Sequence, residues 1–253
     1  MSIIVAISNH KGGVGKTTTT VNLGAGLARL GKKVLLVDLD PQANLSNCFG
    51  ITKPKTTIYE ALKGEVEFEP ISIDDKLDIA ASNLDLAGAE MELNSEAGRE
   101  YLLKEVLEPV KNNYDFVLVD CPPSLGLLTL NAFTCADEVI IPIQAHFLAI
   151  KGLTKIIEVI NKIKRRVNKN LEITGVVITL YDGRKILHRE IEETIKIYFQ
   201  DKVYNTKIRD NIALAEAPSQ GLDIFRYSIS SSGADDYFDL TEEFIERHNH
   251  SNV

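Results

Sequence analysis

The sequence predicts an α/β fold, a single domain over residues 1–253 with a mostly parallel twisted sheet and helices on both faces. Short apolar runs alternate with segments of helical periodicity, which is the pattern of strands buried on both faces between crossover helices. A glycine-rich stretch, Asn9-His10-Lys11-Gly12-Gly13-Val14-Gly15-Lys16-Thr17-Thr18, sits between the first apolar run and the first helical pattern. Two further apolar runs end in aspartates, at Asp38 and Asp120.

In chain order, Ile3–Ser8 reads as the first strand and Thr19–Leu30 as the helix behind it. Val34–Asp38 reads as a second buried strand. Gly50 to Lys76, with Pro54, Gly64 and Pro70 and little periodicity, reads as a peripheral excursion and not a second domain. Leu77–Ala81, Phe116–Asp120, Glu138–Ile143, Ile173–Thr179 and Lys202–Thr206 complete the expected strands. A helix starts near Lys151. Its Leu153, Ile156, Ile157, Ile160, Ile163 and Val167 fall on one side at about 100° per residue, opposite Lys151, Lys155, Lys162, Arg165, Arg166 and Lys169. The polar stretch Arg247–Val253 reads as a frayed tail.

A chain of 253 residues and 28.0 kDa is long enough to bury a full core. Hydrophobic residues at 44% and charged residues at 25% match a globular protein and exclude extensive disorder. No apolar run reaches spanning length and the N-terminus enters a strand directly, so the chain reads as cytoplasmic, with no membrane partner. The net charge of −8 argues against a surface that coats nucleic acid as a whole, though not against a local basic patch. Cys48, Cys121 and Cys135 have neither disulfide-framework nor metal-site spacing and read as reduced, mostly buried thiols.

The glycine-rich stretch is read on the phosphate-loop pattern G-x-x-x-x-G-K-[ST], with an extra lysine at its front. Glycines let backbone N–H groups approach a polyphosphate, and the start of the helix adds its positive end. Residues Lys11 to Thr18 therefore form the candidate nucleotide site, with Lys16 reaching the outer phosphates and Thr17 a magnesium ligand. Asp38 and Asp40 end one buried strand and Asp120 another; the latter is a Walker B pattern. Each alone also fits a helix cap or turn residue. Beside the phosphate loop, Asp38 and Asp120 are expected to act through the Mg²⁺ hydration shell, and Asp40 to orient the attacking water. Lys11 is placed to reach a phosphate in its own subunit or in a partner, or to stand in solvent.

Lys11 to Thr18, Val37-Asp38-Leu39-Asp40-Pro41-Gln42, Asp120-Cys121-Pro122-Pro123-Ser124-Leu125-Gly126 and Glu216-Ala217-Pro218-Ser219 together resemble the ParA/Soj chromosome- and plasmid-partition ATPases. The likeness runs from Ser2 to about Phe244 and follows the short branch that lacks an N-terminal helix-turn-helix. The resemblance implies the deviant Walker A group, related to MinD, in which Lys11 crosses to the opposite subunit's nucleotide. It further implies Mg²⁺-dependent ATP hydrolysis, an ATP-dependent homodimer, nonspecific binding to double-stranded DNA, nucleoid association when ATP is bound, and stimulation by a ParB-like protein. Adenine as the base rests on the resemblance alone. The alternatives within the same fold are a positioning ATPase for a protein cargo and a MinD-like regulator. Asp235 to Glu246 is too acidic for MinD's basic membrane helix, and the cysteines lack the paired pattern of iron–sulfur relatives.

The match weakens where relatives contact DNA. Asp210 and Ala213 stand where arginines are common, Ser232 and Glu242 where basic residues are frequent, and His146 and Lys151 where relatives tend to carry acids. Arg184 keeps an arginine associated with DNA contact. Residues 151–170 carry seven basic and one acidic side chain, a net of +6, so the end of that helix is expected to compensate. The expected DNA patch combines Arg184, Lys185 and Arg189 with Arg165, Arg166 and Lys169; a merely solvated polar helix face is the other reading.

Overall fold

The computed structural model describes residues 2–146 and 149–250, with the side chains of 149–152 and 250 excepted. The side chain of Lys151 and residues 251–253, which enter the expectations above, lie outside that description. Among the described residues eight strands form one sheet: β1 Ile3–Ile7, β2 Val34–Asp38, β3 Ile71–Asp74, β4 Leu77–Ala80, β5 Phe116–Asp120, β6 Glu138–Gln144, β7 Glu172–Tyr181 and β8 Val203–Arg209. Their order is β3-β4-β2-β5-β1-β6-β7-β8, parallel throughout except for the antiparallel β3–β4 pair.

The eleven α-helices among the described residues are α1 Lys16–Arg29, α2 Asn44–Asn47, α3 Ile58–Leu62, α4 Leu86–Glu92, α5 Leu102–Leu107, α6 Leu127–Cys135, α7 Ala149–Arg166, α8 Ile186–Phe199, α9 Ile212–Glu216, α10 Ile224–Tyr227 and α11 Ser232–His250. They divide into two layers. On one face α1, α10 and α11 bury Leu23, Leu27, Phe225 and Phe244 against β1, β2 and β5; on the other, α5 to α8 bury Leu103, Phe133, Ile156 and Ile191. β2 and β5 are buried at every position, as their unbroken apolar runs require of central strands.

The pairing register places the candidate site. In adjacent parallel strands Asp38 stands opposite Asp120, and Asp120 opposite Ile7, the last residue before the glycine-rich loop. Three chain segments therefore leave the sheet side by side at its carboxyl edge, where open α/β sheets bind ligands.

Three expectations change. The excursion over 50–76 contains an edge strand, β3, and a short helix, α3, stapled by a capping box between Thr57 and Glu60. Its four-residue alternation after Pro70 is too short to stand out as a strand by period alone. The first helix opens at Lys16, three residues earlier than its apolar periodicity, because Gly15 at φ 83° turns the loop directly into it. The tail is not frayed from Arg247: α11 continues through His250, and the Arg247 guanidinium donates to the carbonyl of Val203 at 2.9 Å and to Glu243 at 2.8 Å. The apolar stripe of α7 packs inward as the helical wheel predicts, with Leu153, Ile156, Ile160 and Ile163 buried. Cys48, Cys121 and Cys135 are free thiols, and burial pushes Cys48 and Cys135 up to about 12.

Candidate nucleotide site

The glycine-rich loop matches the phosphate-loop pattern at its Gly15-Lys16-Thr17 end only, since His10 stands where the pattern has its first glycine. No glycine is needed there, because the left-handed positions are Gly13 at φ 72° and Gly15 at φ 83°. Both Gly12 and Gly13 are exposed, with nothing within 4 Å of where a side chain would begin. That bare backbone is the surface a phosphate can approach. Beneath it, four polar contacts fix the loop. Asn9 donates from Nδ2 to the Pro142 carbonyl at 2.8 Å and accepts from the Lys11 amide at 3.1 Å. Thr179, at the end of β7, donates to the Val14 carbonyl at 2.9 Å. Lys16, only 7% exposed, folds its ammonium back to the Lys11 carbonyl at 3.3 Å.

The carboxylates differ in what they hold. Thr17 Oγ1 donates to Asp120 Oδ2 at 2.6 Å, while Asp120 Oδ1 is buried with no hydrogen-bond partner. Burial, and then the neighbouring Asp38 carboxylate, push Asp120 well above the usual carboxylate range. An unpaired buried carboxylate oxygen is expensive, and a divalent cation beside it offsets that expense. Mg²⁺ would fit there, because it takes one or two protein oxygens, which Asp120 and the Thr17 hydroxyl would supply, and keeps the rest of its shell as water. When bound, it neutralises phosphate charge that grows during transfer.

Asp38 is already engaged. Its Oδ2 accepts from the Ser46 amide at 2.8 Å and the Ser46 hydroxyl at 2.7 Å, and its Oδ1 accepts from the Asp40 amide at 3.2 Å. Burial raises it to about 6 in spite of those bonds. Asp38 thus ties down the loop from 39 to 46, and through it Asp40. The Asp40 carboxylate accepts from the Gln42 amide at 2.9 Å, its carbonyl accepts from the Ser82 hydroxyl at 3.1 Å, and 8% of the residue is exposed. It is held on both sides at the carboxyl edge of the sheet, where the three loops leave it.

Two curated relatives resemble the chain over nearly its whole length. Soj, the sporulation initiation inhibitor protein of Bacillus subtilis, is 46% identical over 248 residues, 96% of this chain and 98% of that protein. The chromosome partitioning protein ParA of Caulobacter vibrioides is 43% identical, covering 96% of this chain and 94% of that protein. The AAA domain family model matches residues 2–173. The chain belongs to the ParA/Soj family of partitioning ATPases. Among solved structures, a Mycobacterium smegmatis protein described as cobyrinic acid a,c-diamide synthase, crystallised with an ATP analogue and magnesium, superposes with a TM-score of 0.88 at 35% identity, covering 100% of this chain and 97% of that one. This ParA/Soj chain is an ATPase, and the ATP analogue and magnesium of that neighbour are consistent with ATP and Mg²⁺ here. No helix among the described residues is long and apolar enough to cross a membrane.

The basic residues expected to form one patch are split by the fold. Arg184 and Lys185 lie in the turn at the carboxyl end of β7, and Arg189, in the first turn of α8, donates to the Gly183 carbonyl there at 2.9 Å. Arg165, Arg166 and Lys169 lie at the other end of that strand, beside the Lys164–Glu172 ion pair. Ten residues of β7 separate the groups, about 30 Å at ~3.3 Å per residue. The physical reason is the crossover. A helix joining two parallel strands runs back down the sheet, so its carboxyl end meets the start of the next strand and not its end.

Ser46, Ser82 and Thr179 support the site without belonging to any of its sequence motifs, and Asn9, at the head of the glycine-rich stretch, supports it without being expected among the nucleotide-binding residues. Asn9, Ser82 and Thr179 carry a usable signal, a polar residue closing an apolar strand; Ser46 carries none.

Proposed function

We propose that this ParA/Soj ATPase is a nucleotide-gated switch for DNA segregation. ATP drives a homodimer in which Lys11 of each subunit reaches the partner's nucleotide, and the dimer holds double-stranded DNA without sequence preference on the nucleoid. A ParB-like protein stimulates hydrolysis, and hydrolysis releases the DNA. Within the site, Lys11, Gly12, Gly13, Val14, Gly15, Lys16, Thr17 and Thr18 cradle the phosphates. Thr17 and Asp120 hold the metal, with Asp38 acting behind Asp40, and Asp40 orients the water.

The observation that carries this reading is the convergence of the Thr17–Asp120 pair and the braced Asp40 at one carboxyl edge of the sheet, with Lys11 in the loop that leaves β1 there. The Lys11 ammonium makes no hydrogen bond or ion pair among the described residues, so it is available to a second molecule. Duplex phosphates are read at Arg184, Lys185 and Arg189. Arg184 is 91% exposed and is aimed by two bonds to Asp182, at 2.9 and 3.0 Å.

The test is Asp40→Ala beside Lys11→Ala, followed by phosphate release, sedimentation and retention on duplex DNA. Asp40→Ala keeps the ATP-dependent dimer and DNA retention while turnover falls roughly 10²-fold or more. Lys11→Ala loses the dimer. Full turnover in Asp40→Ala, or an ATP-bound monomer that hydrolyses at the wild-type rate, overturns the reading. DNA retention without stimulation by the ParB-like protein points to a protein cargo instead.

A further inference from the structure

Of the last three residues of β7, the first and third are each committed to a different neighbour and the middle one is strained. Thr179, 2% exposed, donates to the Val14 carbonyl at 2.9 Å, and its methyl group stands 3.5 Å from where a side chain on Gly15 would begin. Leu180 has φ 50°, in the left-handed region. Tyr181 donates its hydroxyl to Glu192 on α8, a carboxylate that also pairs with Lys196 at 2.7 Å and Lys207 at 2.8 Å. Immediately beyond, the Asp182 amide donates to His188 Nδ1 at 3.1 Å, and the Asp182 carboxylate grips Arg184.

A phosphate cradle works by aiming consecutive N–H groups inward, which turns carbonyls of the same loop outward into the protein. Those carbonyls must find donors, and for Val14 the donor is Thr179. A branched residue such as Leu180 leaves the ordinary backbone regions only where its surroundings over-determine it. Here they do so from both sides, since Thr179 is bonded to the phosphate loop and Tyr181 to α8. The strained residue is the joint between two fixed pieces, so a shift of the Val14 carbonyl is passed to the Asp182–Lys185 turn and is not absorbed.

We propose that Thr179 is a positioning residue for ATP, and that through Leu180 it links the shape of the phosphate loop to the presentation of Arg184. The second half rests on the reading that Arg184 meets DNA. The first half does not.

The experiment compares Thr179→Val, Thr179→Ala, Thr179→Ser, Leu180→Gly and Arg184→Glu with the wild type in steady-state ATPase kinetics and in retention on a nonspecific duplex with and without ATP. Losing one buried hydrogen bond raises the KM for ATP roughly fivefold in Thr179→Val and Thr179→Ala, with kcat changed less, and serine restores it to within about twofold. Packing alone predicts the reverse, because valine keeps the shape that serine loses. Leu180→Gly keeps the wild-type KM and loses the ATP-dependent gain in DNA retention. A wild-type KM in both Thr179→Val and Thr179→Ala overturns the positioning role. Full ATP dependence in Leu180→Gly overturns the link. Undiminished retention in Arg184→Glu removes the DNA reading and with it the link, while the KM comparison still decides the role of Thr179.

Discussion

Thr17 Oγ1 donates to Asp120 Oδ2 over 2.6 Å, although 103 positions separate the two residues in sequence. A hydroxyl that gives its proton to a carboxylate keeps its lone pairs for a cation, and Asp120 keeps its second, unpaired oxygen for the same purpose. The pair joins the second residue of a helix to the last residue of a strand, and these are the oxygens a bound Mg²⁺ would take.

Asp120→Asn keeps the shape and removes the charge, and Thr17→Ala removes the hydroxyl. Each is expected to lower turnover or Mg²⁺ affinity roughly 10–100-fold, while Thr17→Ser stays near wild type. Phosphate release measured across a Mg²⁺ titration checks this. An unchanged half-saturation and rate in Asp120→Asn would falsify the assignment.

Two helix glycines should respond oppositely to alanine. A side chain at Gly26 on α1 would begin 2.3 Å from Thr241 Oγ1 on α11, whereas at Gly88 on α4 the nearest atom is 3.5 Å away. Alanine in a helix gains ~0.5–1 kcal/mol over glycine, and overpacking loses about 1–3 kcal/mol. Gly26→Ala is therefore expected to be the less stable protein and Gly88→Ala the more stable one. Urea unfolding midpoints at equal slope decide it.

His248 donates toward the Phe244 carbonyl at 2.7 Å and toward Glu138 at 3.0 Å, so both ring nitrogens face acceptors. Burial pulls its pKa down, but the Glu138 and Phe244 bonds together outweigh it and the net shift is upward. A raised folded pKa means that stability is fully present below the ordinary histidine value of about 6.5 and is lost as pH rises through the folded value. Unfolding measured at pH 6 and pH 8 should show a larger loss for the wild type than for His248→Gln. A steeper loss in the variant reverses the sign and refutes the contribution.

Arg165→Glu with Arg166→Glu, at the far end of β7 from Arg184, is expected to leave ATP-dependent DNA retention within about twofold. Removing one phosphate-binding side chain at the Arg184 turn instead lowers the salt slope of binding by roughly 0.9. Retention curves over a salt series compare the two. A loss in the double variant equal to that in Arg184→Glu returns the α7 end to the DNA surface.

The parallel architecture, the phosphate loop and the apolar stripe of α7 are all legible in the sequence. Each depends on residues within a few positions of one another: alternation of apolar runs, Gly15-Lys16-Thr17 after a strand, Ile156, Ile160 and Ile163 at helical spacing. Family membership is legible for the same reason, since its motifs are contiguous. The edge strand β3 is not, because four alternating residues carry too little signal to be told from a loop.

Which distant residues share a contact was decided by the strand order β3-β4-β2-β5-β1-β6-β7-β8. That order sets β7 close enough for Thr179 to bond Val14 across 165 positions, and aligns Asp38 with Asp120. It also sends the two basic clusters to opposite ends of one strand, and lets Ser46 claim both free sides of Asp38 Oδ2. Periodicity and motif spacing are properties of a short stretch of chain and survive without the fold. Adjacency of strands is a property of the packed whole, in which every apolar run is equally fit to be buried and only the joint packing of both helix layers selects its neighbours.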